Sequence, residues 1–210
     1  MSVLSERETF AERFSVSRET IDRLVSYEEL ITKWNPTINL TAKSTLGEIW
    51  TRHFLDSAEV FAWANPSEGR WLDLGSGGGF PGVVVAILAK ELAPKLSVTC
   101  VESDIRKCEF MRTVARNTGV SVGILSRRVQ DVPSHNAQIV SARALASLTD
   151  LIGMAQRHLA PQGCAIFHKG KSWQDEVDEA LETWEFTLEK KDNPTHQDSV
   201  ILKIGDIQRA

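Results

Sequence analysis

The chain has 210 residues, 42% of them hydrophobic and 25% charged, with a formal net charge of −4. That length supports one domain with a modest extension and a real core; the acidic balance excludes a protein coated in positive charge that clings to any nucleic acid, without excluding a local basic face. No apolar run reaches the roughly 20 residues of a membrane span, the opening MSVLSERETFAERF lacks the form of a secretory signal, and Cys100, Cys108, Cys164 and five histidines fall without metal-ligand spacing, so reduced core thiols and no metal are expected.

In chain order, Ser5-Glu6-Arg7-Glu8 has the form of a capping box and predicts a short helix. Ile21, Leu24, Val25, Leu30, Ile31 and Trp34 follow helical periodicity over residues 17–34. Asn35-Pro36 is expected to stop that helix, because the residue before proline avoids the α region. A third helix is expected over 46–64, with Ile49, Trp50, Phe54, Leu55, Ala58 and Phe61 inward. Asn65-Pro66-Ser67-Glu68-Gly69 reads as a turn, so residues 1–69 form a helical extension and 70–210 a second unit. From Arg70 the pattern alternates. Strands are expected at 71–74, 96–101, 120–126, 138–141 and 164–168, and helices at 80–92, 104–117, 145–159 and 173–181. Two final strands, 186–190 and 200–204, have no helix between them. This predicts a seven-stranded, mostly parallel α/β sheet covered on both faces, with an antiparallel finish.

The stretch WLDLGSGGGFPG, residues 71–82, puts bare backbone at the carboxyl end of the first strand, where open α/β sheets bind ligands. A nucleoside triphosphate loop would need lysine where Val83 stands, a dinucleotide loop glycine where Phe80 stands, and an esterase elbow glycine where Leu74 stands. What remains is an acid two positions before GxGxG: Asp73, Gly75, Gly77, Gly79. That is the pattern of methyltransferases that use S-adenosylmethionine. This donor carries no phosphate and so calls for no phosphate-binding lysine; its ammonium could be held by Asp73 directly or through water. Glu102 ends the next strand, where a carboxylate can accept from both hydroxyls of a ribose.

Beyond these motifs the chain resembles, over nearly its whole length, the bacterial RsmG (GidB) family of small-subunit (16S) ribosomal RNA methyltransferases, which form 7-methylguanosine. The resemblance rests on Lys33-Trp34-Asn35, Asn39-Leu40-Thr41, Arg52-His53 with Asp56-Ser57, residues 73–82, the stretch 141–148 around Arg143, and Lys169-Gly170. It implies a Rossmann-like class I S-adenosylmethionine-dependent fold. It also implies that Gly75 and Phe80 line the cofactor pocket, Glu102 holds the ribose, Val129 and Gln130 flank the adenine, and Arg143 contacts the cofactor near its methionine end. The implied target is N7 of guanine 527 in 16S rRNA, free or in an assembly particle, for a cytoplasmic monomer. The family pattern carries an arginine just before the last strand; this chain reads His196-Gln197-Asp198-Ser199-Val200 there.

Guanine N7 has an in-plane lone pair and no proton, so no general base is expected, and Arg52, His53, Asp56 and Lys169 are assigned to positioning the RNA. Arg52 and Lys169 would meet phosphate or the O6 edge, and Asp56 would accept from the N1 or N2 hydrogens or orient Arg52 or His53. Spacing alone would equally allow Arg52 and Asp56 to form a helix-surface ion pair. Arg106, Lys107, Arg112, Arg116, Arg127 and Arg128 are further candidates for RNA contact. Two other readings stay open: the same fold acting on a small molecule or protein, and a dinucleotide-binding protein.

Overall fold

The computed structural model describes residues 5–194, 196 and 198–210. Met1–Leu4, part of the stretch judged against a signal peptide, lie outside the described residues, as do Thr195 and Gln197.

The N-terminal part is helical, and its breaks differ from those expected. α1 (Glu6–Phe14) starts at the capping box: Ser5 Oγ accepts from Glu8 N, and the Glu8 carboxylate accepts from Ser5 N at 2.8 Å. α2 (Arg18–Ile38) runs through Pro36 instead of stopping before it. Pro36 sits in the last turn, where its missing N–H forfeits a single bond. The stop comes from Asn39 in the left-handed region, and from buried Asn35, whose Oδ1 accepts from Leu40 N at 2.7 Å and Thr41 N at 2.8 Å. The single helix expected over 46–64 is three segments: a 3-10 stretch (Lys43–Glu48), a wide π turn (Trp50–Leu55), then α3 (Asp56–Ala64). The π turn shifts Arg52 and His53 off the ordinary helical register.

Seven strands follow: β1 (Glu68–Leu74), β2 (Lys95–Glu102), β3 (Gly123–Ser126), β4 (Ala137–Arg143), β5 (Leu159–Lys169), β6 (Trp184–Asp192) and β7 (Val200–Arg209). They alternate with α4 (Gly82–Leu92), α5 (Ile105–Thr118), α6 (Leu148–His158) and α7 (Trp173–Leu181). β1 begins inside the expected turn, so the first 69 residues are not wholly helical. α4 starts two residues later than expected and α6 three. β3 is shorter than its apolar run suggested, while the other strands extend beyond the expected bounds.

The sheet order is β3-β2-β1-β4-β5-β7-β6. Pairs up to β4–β5 are parallel, and β7 runs antiparallel to both β5 and β6. Because strand side chains alternate, β1 sends Trp71 to one face and Leu72 and Leu74 to the other. The first face packs on α2, α4 and α5 with Leu24, Ile31, Val84 and Phe110. The second packs on α6 and α7 with Leu151, Ile152, Val177 and Ala180. Both cores leave the carboxyl ends of β1, β2, β4 and β5 along one edge, where the loops converge. Among the described residues no helix is long and apolar enough to cross a membrane.

Candidate active site

Between β1 and α4, Gly75, Gly77 and Gly79 have φ of 64°, 56° and 98°, the left-handed region that favours glycine. The turn is pinned from several sides. Ser76 N donates to Val101 O at 3.0 Å, Gly79 N and Phe80 N donate to Ser76 O, and Gly77 N donates to Glu102 Oε2 at 2.8 Å. Gly82 answers why the Phe-Pro-Gly ends as it does. A Cβ there would lie 2.5 Å from Cys100 Sγ and 2.8 Å from Asp73 Oδ2. With that Cβ absent, Gly82 N reaches Asp73 Oδ2 at 3.1 Å.

A cavity of about 570 Å³ opens above the turn. Seven of the eight expected cofactor residues line it: Gly75, Gly77, Phe80, Glu102, Val129, Gln130 and Arg143. The eighth, Asp73, lies beneath. It is fully buried, and its carboxylate accepts from Ser141 Oγ at 2.7 Å and from Gly82 N. Burial pushes its pKa up to about 6, against those donors. Glu102 accepts two backbone N–H groups, from Gly77 and from Asp104 (2.8 Å), and still borders the cavity, leaving lone pairs for hydroxyl donors. Leu40, Leu145 and Met154 supply apolar walls. A ribose acceptor, apolar sides and bare glycine backbone fit an adenosine bearing an amino-acid tail, and the volume is that of a small-ligand site.

A second cavity of about 330 Å³ is lined by all four residues expected to position the RNA, Arg52, His53, Asp56 and Lys169. Arg143 and Ala144 line both cavities, so Arg143 is the wall between them. Its guanidinium donates to Arg52 O at 3.2 Å and to His53 Nδ1 at 2.6 Å, stands 3.8 Å from Asp56 Oδ2, and lies 5.2 Å from the centre of the Phe80 ring. Arginine can only donate, so His53 Nδ1 is bare and its Nε2 carries the proton, directed at Thr45 Oγ1 3.1 Å away. Burial, then Arg143 and Arg52, hold the His53 pKa down to about 3. The ring is neutral and stacks on Phe80 at 4.8 Å.

Arg52 makes no ion pair with Asp56 among the described residues; Asp56 faces Arg143 instead. Lys169 is ion-paired with Glu176 and donates to Ala146 O at 3.1 Å. His168, absent from the expected set, lines the same cavity; burial holds its pKa down to about 3, although the Asp56 main chain favours a proton there. It stands opposite Arg143 in the β4–β5 register, a cross-strand neighbour that no local motif announces. His196 and Ser199 also line this cavity, in the segment where the family arginine is missing. Of the basic candidates, Arg106 pairs with Asp104, Arg112 with Glu109, and Arg116 bonds Thr113. Lys107, Arg127 and Arg128 line the cofactor cavity. Among the described residues no group of three or more His, Cys, Asp or Glu side chains could hold a metal ion.

This sheet, with its glycine turn after β1 and a carboxylate ending β2, is the class I fold of S-adenosylmethionine-dependent methyltransferases. Two solved structures share it: the ribosomal protein L11 methylase of Lactobacillus delbrueckii subsp. bulgaricus, with TM-score 0.56 and 19% identity over 71% of this chain and 76% of that one, and an O-methyltransferase of Thermotoga maritima, with TM-score 0.55 and 15% identity over 74% and 66%. Residues 20–200 match the family described as rRNA small subunit methyltransferase G, and the chain belongs to it. Relatives named ribosomal RNA small subunit methyltransferase G include those of Ruegeria sp. (strain TM1040), 50% identical over 92% of this chain and 94% of the relative, and of Jannaschia sp. (strain CCS1), 52% identical over 90% and 89%.

Proposed function

We propose that this chain transfers the methyl group of S-adenosylmethionine to N7 of guanine 527 in 16S rRNA, as a cytoplasmic monomer acting on the free rRNA or on an assembly particle. Family membership supports the reaction class. The observation that carries the site assignment is that the two cavities share one wall, Arg143 with Ala144.

When bound, the cofactor supplies a methyl group on a sulfonium, which is a good leaving group. The residues of the chain bind and align. Glu102 takes the ribose hydroxyls, Val129 and Gln130 flank the adenine, and Gly75, Gly77 and Phe80 form the floor, while Asp73 works from beneath by holding Gly82 N and Ser141. In the second cavity Arg52 takes a phosphate or O6 of the target. Lys169 is set by Glu176, and neutral His53 keeps Arg143 in place on Phe80. N7 has no proton to lose, so none of these groups acts as a base. Alignment of this kind can supply about 7–11 kcal/mol of barrier reduction. The carboxylates of Asp56 and Glu176 face Arg143 and Lys169 and so keep the second cavity from being lined by unopposed cations as positive charge arrives on the purine.

Free 16S rRNA and small-subunit assembly particles from cells lacking the protein, each incubated with it and methyl-labelled cofactor, should between them gain 7-methylguanosine at position 527 of the rRNA, mapped by nuclease digestion and mass spectrometry. Label absent from 7-methylguanosine would remove this reading.

A further inference from the structure

The stretch between β4 and α6, residues 144–147, has no regular structure, yet it forms part of both cavities. Ala144 lines the two of them, and Leu145 lines the cofactor cavity. Ala144 has φ of 52°, a left-handed conformation that a residue with a Cβ rarely adopts and that its surroundings must hold. Leu145 is 37% exposed and lies over the start of the glycine turn: a Cβ on Gly75 would sit 2.5 Å from its Cδ1.

One ion pair grips this stretch at two points. Lys169, at the end of β5, donates to Ala146 O at 3.1 Å. Glu176, on α7, accepts from Leu148 N at 2.9 Å, an N–H that the first turn of α6 cannot satisfy within the helix. Its negative charge also suits the positive end of the α6 dipole. Lys169 and Glu176 are paired with each other, and the lysine side chain is only 9% exposed. Two of its three N–H donors are thus spent inside the chain. Both residues line the second cavity, and neither lines the cofactor cavity. Their hold nevertheless reaches the cofactor side, because Leu145 precedes the gripped carbonyl by one residue. Without that hold Ala144 would relax from its strained conformation, and Leu145 would have to be ordered anew each time a ligand bound.

We propose that Lys169 and Glu176 are positioning residues for the cofactor: acting through Ala146 and Leu148, they keep Leu145 on the wall of the cofactor cavity. The proposal rests on reading that cavity as an S-adenosylmethionine site. It places part of what sets cofactor affinity in side chains of the neighbouring cavity.

A double-mutant cycle read by calorimetry with S-adenosylhomocysteine tests this. Leu145→Ala and Glu176→Ala should each weaken binding about fivefold. Because Glu176 acts through Leu145, Glu176→Ala should cost less than about twofold once residue 145 is alanine. Lys169→Met closes the same cycle with Leu145→Ala and should behave alike, so the test survives if Glu176→Ala fails to fold. Losses that multiply in the double variants would overturn the proposal, as would an affinity untouched by Leu145→Ala. A lowered melting temperature with unchanged affinity in Glu176→Ala and Lys169→Met would mark the pair as structural only, and would overturn it too. Wild-type protein that does not bind S-adenosylhomocysteine would instead defeat the cofactor reading itself.

Discussion

The two cavities that meet at Arg143 are made of different material. The cofactor cavity is built on one contiguous backbone turn at the ends of β1 and β2, with side chains such as Leu40, Val129, Leu145 and Met154 closing its sides. The second cavity is side chains brought from separate places: the 3-10 stretch and π turn before α3, the start of α3, the ends of β4 and β5, α7, and the segment before β7. A backbone site fails when an atom is added. A side-chain site fails by degrees, one group at a time.

The largest expected effect follows from adding atoms. Gly82→Val places a branched side chain against Cys100 and the Asp73 carboxylate; overpacking costs about 1–3 kcal/mol and the Asp73 anchor is displaced. S-adenosylhomocysteine binding should be abolished and the melting temperature lowered, as read by calorimetry and thermal unfolding. Glu102→Ala comes next. It strips acceptors from Gly77 N and Asp104 N as well as from the ribose. With hydrogen bonds to a charged group worth about 1.5–3 kcal/mol each, affinity for S-adenosylhomocysteine should fall at least about tenfold, with RNA affinity unchanged in a filter-binding assay. Arg52→Met should show the reverse: single-turnover methyl transfer slowed about tenfold, S-adenosylhomocysteine affinity unaffected. Parallel losses of both ligands in either variant would erase the distinction between the cavities.

The smallest effect is in pH. His53 and His168, both held down to about 3, are neutral throughout the physiological range, so the single-turnover rate should show no histidine-like inflection between about pH 6.5 and 8.5. For stability the sign is fixed by where protons are taken up. Unfolding returns each histidine to 6.5, so the unfolded chain binds more protons between about 3 and 6.5, and stability falls as pH drops through that window. Asp73, raised from 3.8 to about 6, opposes this with one proton against two between those values. Denaturant midpoints from pH 7 to 5 should therefore decline.

The contrast also explains what could be read from the chain alone. The cofactor cavity was legible because its signal is local: Asp73 to Gly79 are contiguous, and Glu102 follows a strand whose end is easily placed. Spacing offered Asp73 to the ligand's ammonium directly or through water; that its carboxylate lies under the turn, bonded to Ser141 Oγ and Gly82 N, was not legible. The second cavity was reached through family resemblance, because Arg52, Asp56 and Lys169 gain their meaning from tertiary contacts. His168 was missed for the same reason: it is defined by its partner across β4–β5. The succession of strands and helices and the apolar helix faces followed from periodicity; the order of strands across the sheet did not. The π turn did not, since a helix that widens for one turn keeps nearly the same apolar pattern.

The proposed methyl transfer requires a purine in the second cavity with its N7 turned past Arg143 towards the cofactor. A structure of the protein with S-adenosylhomocysteine and a guanine-containing fragment of the 16S rRNA tests this most directly. The base should lie among Arg52, His53, Asp56 and Lys169 with N7 facing the sulfur. A base bound elsewhere, or one presenting its N1 edge to the sulfur, would contradict it.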